Sequence, residues 1–450
     1  MSAPDPKAAR CFRFVRRAFD VATSTAHLVY AFDDGPELIE TIRFPGAPPP
    51  QPARAAAIEA ALDLLHWMAG VSYYKAGAPP RLHSEAGRLD GVSADLIRRV
   101  YTDGLAEFAF QNRLDLHARI ELASDPATAE RAAAPALGLR RRSLVPIGGG
   151  KDSLVTVELL RARDEPISAV YVGASPLIDQ VIARTGLDAL SIERRLSPRL
   201  FELNRAGAYN GHIPVTAINS AVLVLAALLH DFDAIVFSNE RSASAPTLID
   251  AGREVNHQWS KSFDFERRFG AWVSAHVAAD LDYYSLLRPL SELAITRRFA
   301  DLTRYHDVFS SCNRNFRILG PKPIDRWCGQ CPKCHFVFLA LAPFVPKPRL
   351  VQIFGRNLLD DPSQIAGFEA LLEWHAAKPF ECVGEAQESR AALAELTRRA
   401  PWREDQMVAL YAEQIAPELG ASVPSLVSLL AADGPSRIPA RLAGIFDEAG

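Results

Sequence analysis

Three groups of residues in this chain have types and spacings suited to chemistry. The first is Gly148-Gly149-Gly150-Lys151-Asp152-Ser153, set between the strand-like run 143–147 and an apolar helix-like run. Glycines let the backbone approach an anion closely and present their N–H groups to it. A helix opening near Lys151 aims its positive end at the same anion. Lys151 adds charge and Ser153 a hydroxyl donor, so the segment reads as a cradle for phosphate. Asp152 would repel phosphate unless a cation lay between them, which implies Mg2+. A glycine turn with an aspartate N-cap is the alternative that needs no ligand.

The second group is Cys312, Cys328, Cys331 and Cys334, four of the six cysteines of the chain. Two overlapping C-x-x-C steps with a fourth thiolate upstream can close a tetrahedral zinc site. Four cysteines leave no open position, so the metal would be structural. An iron–sulfur cluster matches the same ligand count, and four reduced thiols without metal are the plain alternative. Cysteines crowded together in an otherwise cysteine-poor chain point to a reducing compartment. Cys11 and Cys382 stand isolated in sequence.

The third group is two polar stretches, Ser238-Asn239-Glu240-Arg241-Ser242 and Asn256-His257-Gln258-Trp259-Ser260-Lys261-Ser262. Glu240, His257 and Lys261 are candidates for proton transfer, the last two on one face if their segment is helical. Asn239, Arg241 and Asn256 are candidates for holding substrate. Arg241 and Lys261 suit carboxylates or phosphates. Each candidate base also has a structural reading: a Glu240–Arg241 ion-pair network, a helix cap at His257, a surface charge at Lys261.

These residues need elements to position them. Strand-like runs at 143–147, 168–172, 189–193 and 234–238 are separated by helix-like or loop sequence, which predicts a parallel sheet covered on both faces. Ligands on such sheets sit beyond the carboxyl ends of the strands. The glycine loop and residues 238–244 should both lie there. Residues 11–44 read as β-rich with a hairpin signal at Asp34-Gly35, and 53–71 and 92–112 read as helices. The expected organisation is an N-terminal α/β domain (1–130), a central catalytic domain carrying the cysteine cluster (140–345) and a helical C-terminal region (346–450). The Ala/Pro-rich stretch 124–138 is the expected boundary. The tail shows apolar stripes at 367–380 and 403–419 and no chemistry of its own. The apolar run 213–229 reads as a buried helix, because it is short for a membrane span and carries Pro214, Thr216, Asn219 and Ser220.

The bulk numbers limit the function classes. The 450-residue chain has a formal net charge of −3 and no long basic run, which argues against nucleic acid and for a small-molecule substrate. The N-terminus lacks the apolar core of a signal peptide, so a cytoplasmic protein without a membrane anchor is expected. The oligomeric state is not written in the sequence.

The loop excludes two common phosphate binders. A Walker A loop fails at Val145, where a glycine is required, and at Asp152 after the lysine. A dinucleotide fingerprint lacks its third glycine at 153. The segment resembles instead the S-G-G-x-D-S loop of the PP-loop ATP pyrophosphatases (adenine nucleotide α-hydrolase-like), with Gly148 in place of the first serine. That resemblance implies cleavage of ATP between its α and β phosphates. Taken with 72–77 (SYYKAG), the 238–262 stretches, WCGQCPKCHFVFLAL and 353–360 (IFGRNLLD), the chain from about residue 11 to about residue 360 resembles the ATP-dependent UDP-N-acetylmuramoyl-L-alanyl-L-glutamate epimerases of bacterial cell-wall synthesis. The resemblance implies inversion of the terminal L-glutamate using ATP and Mg2+. Another adenylating enzyme on the same core, such as a deazapurine or tRNA-modifying enzyme or an amide-forming ligase, is the alternative. A nucleotide-binding regulatory protein without catalysis is a third.

Overall fold

A computed structural model describes residues 5–86, 89–122, 133–316, 322–323, 325–420 and 423–447. Its strands are β1 (Cys11–Asp20), β2 (Thr25–Phe32), β3 (Leu38–Arg43), β4 (Arg81–Ser84), β5 (Glu121–Leu122), β6 (Ser143–Pro146), β7 (Ile167–Val172), β8 (Ala189–Arg195), β9 (Ala234–Phe237), β10 (Leu248–Asp250), β11 (Arg253–Val255) and β12 (Asp282–Ser285). Ten of them form one sheet in the order β12-β9-β6-β7-β8-β3-β2-β1-β4-β5, and β10 and β11 form a separate hairpin.

The five strands from β12 to β8 are parallel to their neighbours. The four strands expected from sequence are all present, and β12 adds an edge beside β9. The expected hairpin at Asp34-Gly35 joins β2 to β3, with the Gly35 N–H donating to the Phe32 carbonyl at 2.9 Å. β3 pairs antiparallel with β8, Thr41 opposite Arg195 and Arg43 opposite Glu193. The N-terminal strands therefore extend the central sheet rather than forming a sheet apart. At this seam the partly buried guanidinium of Arg194 bonds Glu40 Oε1 at 2.6 Å and Ser72 Oγ at 2.9 Å. The expected boundary at 124–138 lies mostly outside the described residues.

Two apolar cores lie on the two faces of the sheet. Leu144 and Val145 are adjacent on β6 and both fully buried, each in a different core. This is the pattern of a parallel strand covered on both sides. One core joins β1–β3, the helix Ala55–Tyr74 and the helix Val215–His230. The latter is the expected buried apolar helix. It ends where Asp231 takes a left-handed φ of 66°. Among the described residues no helix is long and apolar enough to cross a membrane.

The second core joins the helices Lys151–Arg161, Glu292–Ala300, Pro332–Leu341 and Ala386–Thr397. The tail is helical as expected, but more broken than its stripes imply. The helix Ile365–Leu372 stops at Glu373, which has φ 50°. Trp374, next in the chain, turns away to donate from Nε1 to Glu418 Oε2 at 2.7 Å. The stripe at 403–419 becomes the helix Gln406–Leu410, a π turn Tyr411–Ile415 and a last turn Ala416–Leu419.

Candidate active site

The order of strands reverses beside β6. The chain runs from β6 to β7 on one side, and β9 lies on the other. A crevice opens at the carboxyl ends of strands at such a reversal. Here it is a cleft of 370 Å³ lined by Gly148, Gly150, Asp152 and Ser153 after β6, by Ser238, Asn239 and Glu240 after β9, and by Lys261, Ser311, Asn313, Lys333 and Cys382. The glycine loop and the 238–240 stretch thus meet where the sequence places them.

Gly150 caps the helix Lys151–Arg161, so the N–H groups of its first turn face the cleft end. Gly149 has φ +86°, and a Cβ there would meet Leu177 Cδ2 at 2.9 Å. A Cβ on Gly150 would meet Ser311 Oγ at 2.7 Å. The loop therefore packs tightly on Leu177 and Ser311 at these two positions, which leaves no room for a side chain at either. Gly148 has no heavy atom within 4 Å of a built Cβ and no left-handed φ. A serine, usual in the resembling loop, would fit there.

The side chain of Lys151 departs from expectation. It is buried beneath the loop, paired with Asp152 and Glu292. Burial alone would lower its pKa, but the two carboxylates hold it well above the ordinary lysine value. Its ammonium thus braces the loop from below and is not presented to an anion in the cleft. Burial raises Glu292, whereas Asp152 is lowered because Lys151 and Lys333 outweigh its burial. An ionised Asp152 on the cleft wall beside an anion cradle suits a divalent cation between the two.

The opposite wall is built around Arg288. Its Nη2 donates to Glu266 Oε2 at 2.9 Å and to the Lys261 carbonyl at 2.6 Å, and its Nη1 donates to the Glu240 carbonyl at 2.6 Å. One buried guanidinium thereby fixes both polar stretches. Asn239 lines the cleft, with its Nδ2 donating to Ser285 Oγ at 3.0 Å. Arg241 is not among the lining residues, and its backbone N–H is spent on the Leu290 carbonyl at 3.0 Å. Asn256 is also spent internally. Its Nδ2 donates to the Ala243 carbonyl at 3.1 Å and its Oδ1 accepts from Gln258 N–H at 2.7 Å.

His257 and Lys261 do not share a face of an α-helix. Lys261 ends a short 3-10 turn, Trp259–Lys261, and the helix begins only at Phe263, capped by Ser262. The two side chains nevertheless converge on a residue from the tail. Lys261 Nζ donates to Cys382 Sγ at 3.2 Å, and His257 is near enough for its charge and that of the same sulfur to shift each other's titration. His257 Nδ1 is bonded to Glu107 Oε2, and the ring of His212 lies 4.2 Å from that of His257. Burial would lower His257, but its bonds to Cys382 and Glu107 raise it to about 9. His212 is lowered to about 3 by burial and by the neighbouring imidazole. Glu107, His212 and His257 place ligand atoms within 4.8 Å of one another, but Glu107 and His257 already satisfy each other, so the group serves as a hydrogen-bonded support. Glu107, His212, Arg288 and Cys382 were not singled out as site residues from sequence. Only Lys333, enclosed between Cys331 and Cys334, carried a local signal.

The four expected metal ligands come together. Cys312 Sγ lies 3.9 Å from Cys331 Sγ, Cys328 Sγ 3.7 Å from Cys334 Sγ, and Cys331 Sγ 3.5 Å from Cys334 Sγ. Tetrahedral zinc with bonds of about 2.3 Å separates its sulfurs by about 3.8 Å, so these thiols fit such an ion. The cluster borders the cleft, since Ser311, Asn313 and Lys333 are lining residues.

Fold and cleft together define an α/β protein with a glycine cradle at the carboxyl ends of its parallel strands and a tetra-cysteine anchor beside it. The chain belongs to the MurL family. Residues 3–286 match the family's N-terminal domain and residues 308–424 its C-terminal domain. The first match ends just past β12 and so takes in the whole ten-stranded sheet. Over 444 residues the chain is 56% identical to the UDP-N-acetyl-alpha-D-muramoyl-L-alanyl-L-glutamate epimerase of Xanthomonas oryzae pv. oryzae, covering 98% of each chain. It is 43% identical over 441 residues to the enzyme of that name from Salinispora tropica, covering 96% of this chain and 94% of the relative. It is also 43% identical over 436 residues to the one from a Micromonospora species, covering 95% and 96%.

Proposed function

We infer that this protein is an epimerase that inverts the terminal L-glutamate of UDP-N-acetylmuramoyl-L-alanyl-L-glutamate to D-glutamate in peptidoglycan synthesis. The observation that carries the reading is end-to-end identity of 56% with a relative named for that activity. The glycine cradle at the strand reversal supplies the chemistry it needs.

The Cα–H beside a free carboxylate is a very weak acid, because its removal puts a second negative charge next to the first. Transfer of AMP from ATP to that carboxylate cancels the charge and creates an electron sink. A general base can then remove the Cα proton, reprotonation from the other face inverts the centre, and hydrolysis releases product and AMP. In this reading the N–H groups of Gly149, Gly150 and the first turn after them hold the phosphates, with Ser153 adding a hydroxyl. Asp152 would hold Mg2+, whose charge would offset that of the phosphates. Lys333 and Lys261, both lining the cleft, balance the anions of nucleotide and substrate. Glu240 and Lys261 line the wall on the proton-transfer side, with His257 supporting it. The tetra-cysteine cluster would hold a structural zinc. Both reactants are soluble nucleotides, so the reaction belongs to the cytoplasm.

The test is direct. Protein, ATP, Mg2+ and UDP-muramoyl-L-Ala-L-Glu are incubated, AMP and pyrophosphate are measured, and glutamate is resolved into D and L after acid hydrolysis. D-Glutamate formed only with ATP is the expected result. AMP release without D-glutamate would instead point to another adenylating activity.

A further inference from the structure

Among the described residues, Cys382 is the one cleft residue contributed by the C-terminal region, 121 residues beyond the lysine it touches. It is not part of the metal cluster, whose four thiols gather among themselves. Its sulfur accepts from Lys261 Nζ at 3.2 Å and is influenced by the charge of His257, which Glu107 holds by a hydrogen bond to Nδ1. A structural cysteine does not need two cationic partners. A nucleophile or base does, because the thiolate is the reactive form.

We propose that Cys382 Sγ is the catalytic base at one face of the glutamyl Cα, held as a thiolate by Lys261 and His257. This rests on the epimerase reading above. In the step, the Cα–H bond breaks and its proton forms an S–H bond with the thiolate. The electron pair of the broken bond moves into the Cα–carboxyl bond of the activated glutamate as an enolate. Nothing is oxidised or reduced. The proton that completes inversion enters from the opposite face.

The charges of the neighbourhood support this assignment. Burial would raise the Cys382 thiol, but Lys261, His257 and Lys333 outweigh it and bring it down to about 5. Lys261 is held well above the ordinary lysine value despite its burial, chiefly by Cys382 and Glu240. His257 at about 9 is an imidazolium near neutral pH. Neither cation can accept a proton there, and the thiolate between them can. Glu381, the chain neighbour, is pushed up to about 7 by burial and by the Cys382 charge, so it competes little for the two cations. Asp152 also lines this cleft, at its glycine-loop end, where it pairs with Lys151 and is assigned to the cation of the phosphates rather than to Cα. His257 and Lys261 thereby become positioning residues for the sulfur rather than bases themselves.

Two measurements test the proposal on the full-length enzyme. Cys382→Ser and Cys382→Ala should release pyrophosphate from ATP and UDP-muramoyl-L-Ala-L-Glu within about threefold of wild type. Incorporation of solvent deuterium at Cα, and D-glutamate formation, should fall by about 10²–10⁴-fold. A residue that only shapes the cleft would slow both steps together. Independently, iodoacetamide should alkylate Cys382 at pH 6 faster than an ordinary thiol, by mass spectrometry, and Lys261→Gln should shift that reactivity to higher pH. Wild-type enzyme that epimerises while Cys382→Ser keeps normal deuterium exchange overturns the role of Cys382 and leaves the functional reading standing. So does Cys382 reactivity that rises only near pH 9. Wild-type enzyme that forms no D-glutamate overturns the functional reading, and this proposal with it.

Discussion

The backbone N–H of Ser310 donates to the carbonyl of Gly149 at 2.9 Å. This bond ties the segment that carries Cys312 to the glycine loop. Ser311 and Asn313, on either side of Cys312, line the cleft, as does Lys333 between Cys331 and Cys334. The cysteine cluster thus borders one cleft wall and is tied through Ser310 to the glycine loop.

The purified protein is therefore expected to hold about one zinc per chain, measured by elemental analysis. Cys331→Ser should lower the zinc content and the melting temperature together and yield heat-labile protein. Full activity in metal-free protein would remove the cluster from the account, and a brown preparation would identify iron–sulfur instead.

The glycines of the loop should not be equivalent. Gly150→Ala forces a Cβ to within 2.7 Å of Ser311 Oγ, so that cleft-lining hydroxyl must turn aside and pyrophosphate release should fall. The Cβ of Gly148→Ser meets no atom within 4 Å. That variant should keep both its melting temperature and its rate. Equal loss in the two variants would show that the loop does not work by close backbone approach.

Arg288→Met should be costly to stability. It leaves the buried Glu266 without the guanidinium that it pairs with at 2.9 Å, and breaking a buried pair from one side costs about 3–5 kcal/mol. It also frees the carbonyls of Glu240 and Lys261. Chemical denaturation should show the loss, and wild-type stability would mean that the clamp is dispensable.

Epimerisation should have a two-sided pH profile. Cys382 has a depressed pKa of about 5, so its thiolate, and the stability that form contributes, is lost as pH falls through about 5. His257 is raised to about 9 from 6.5. Its contribution is complete below 6.5 and is lost as pH rises through about 9. The rate of deuterium entry at Cα should accordingly plateau between these limits. A profile with a single limb near 7 would assign the chemistry to another group.

What the sequence determined by itself was local. The loop 148–153, the four cysteines and the strands at 143–147, 168–172, 189–193 and 234–238 were legible because each is set by residue types within a short window. Apolar runs mark strands buried on both faces, consecutive glycines mark a backbone that must be approached, and C-x-x-C spacing fixes sulfur geometry before the fold does. The ends of parallel strands then place the glycine loop and Glu240 together by topology alone.

Tertiary structure decided the rest. Cys382 reaches Lys261 because the tail helices pack into the same core as the helices after β6 and β12, a contact between segments more than a hundred residues apart. Glu107 meets His257, and β3 meets β8, for the same reason: apolar faces that cannot be satisfied locally find each other only on folding. Lys151 shows the limit of the local reading most clearly. Its backbone belongs to the cradle as its motif implies, but its side chain answers to Glu292, a buried carboxylate 141 positions away. The direction in which a side chain points is set by the charge it must neutralise once water is excluded, and the identity of that charge is a property of the packed chain.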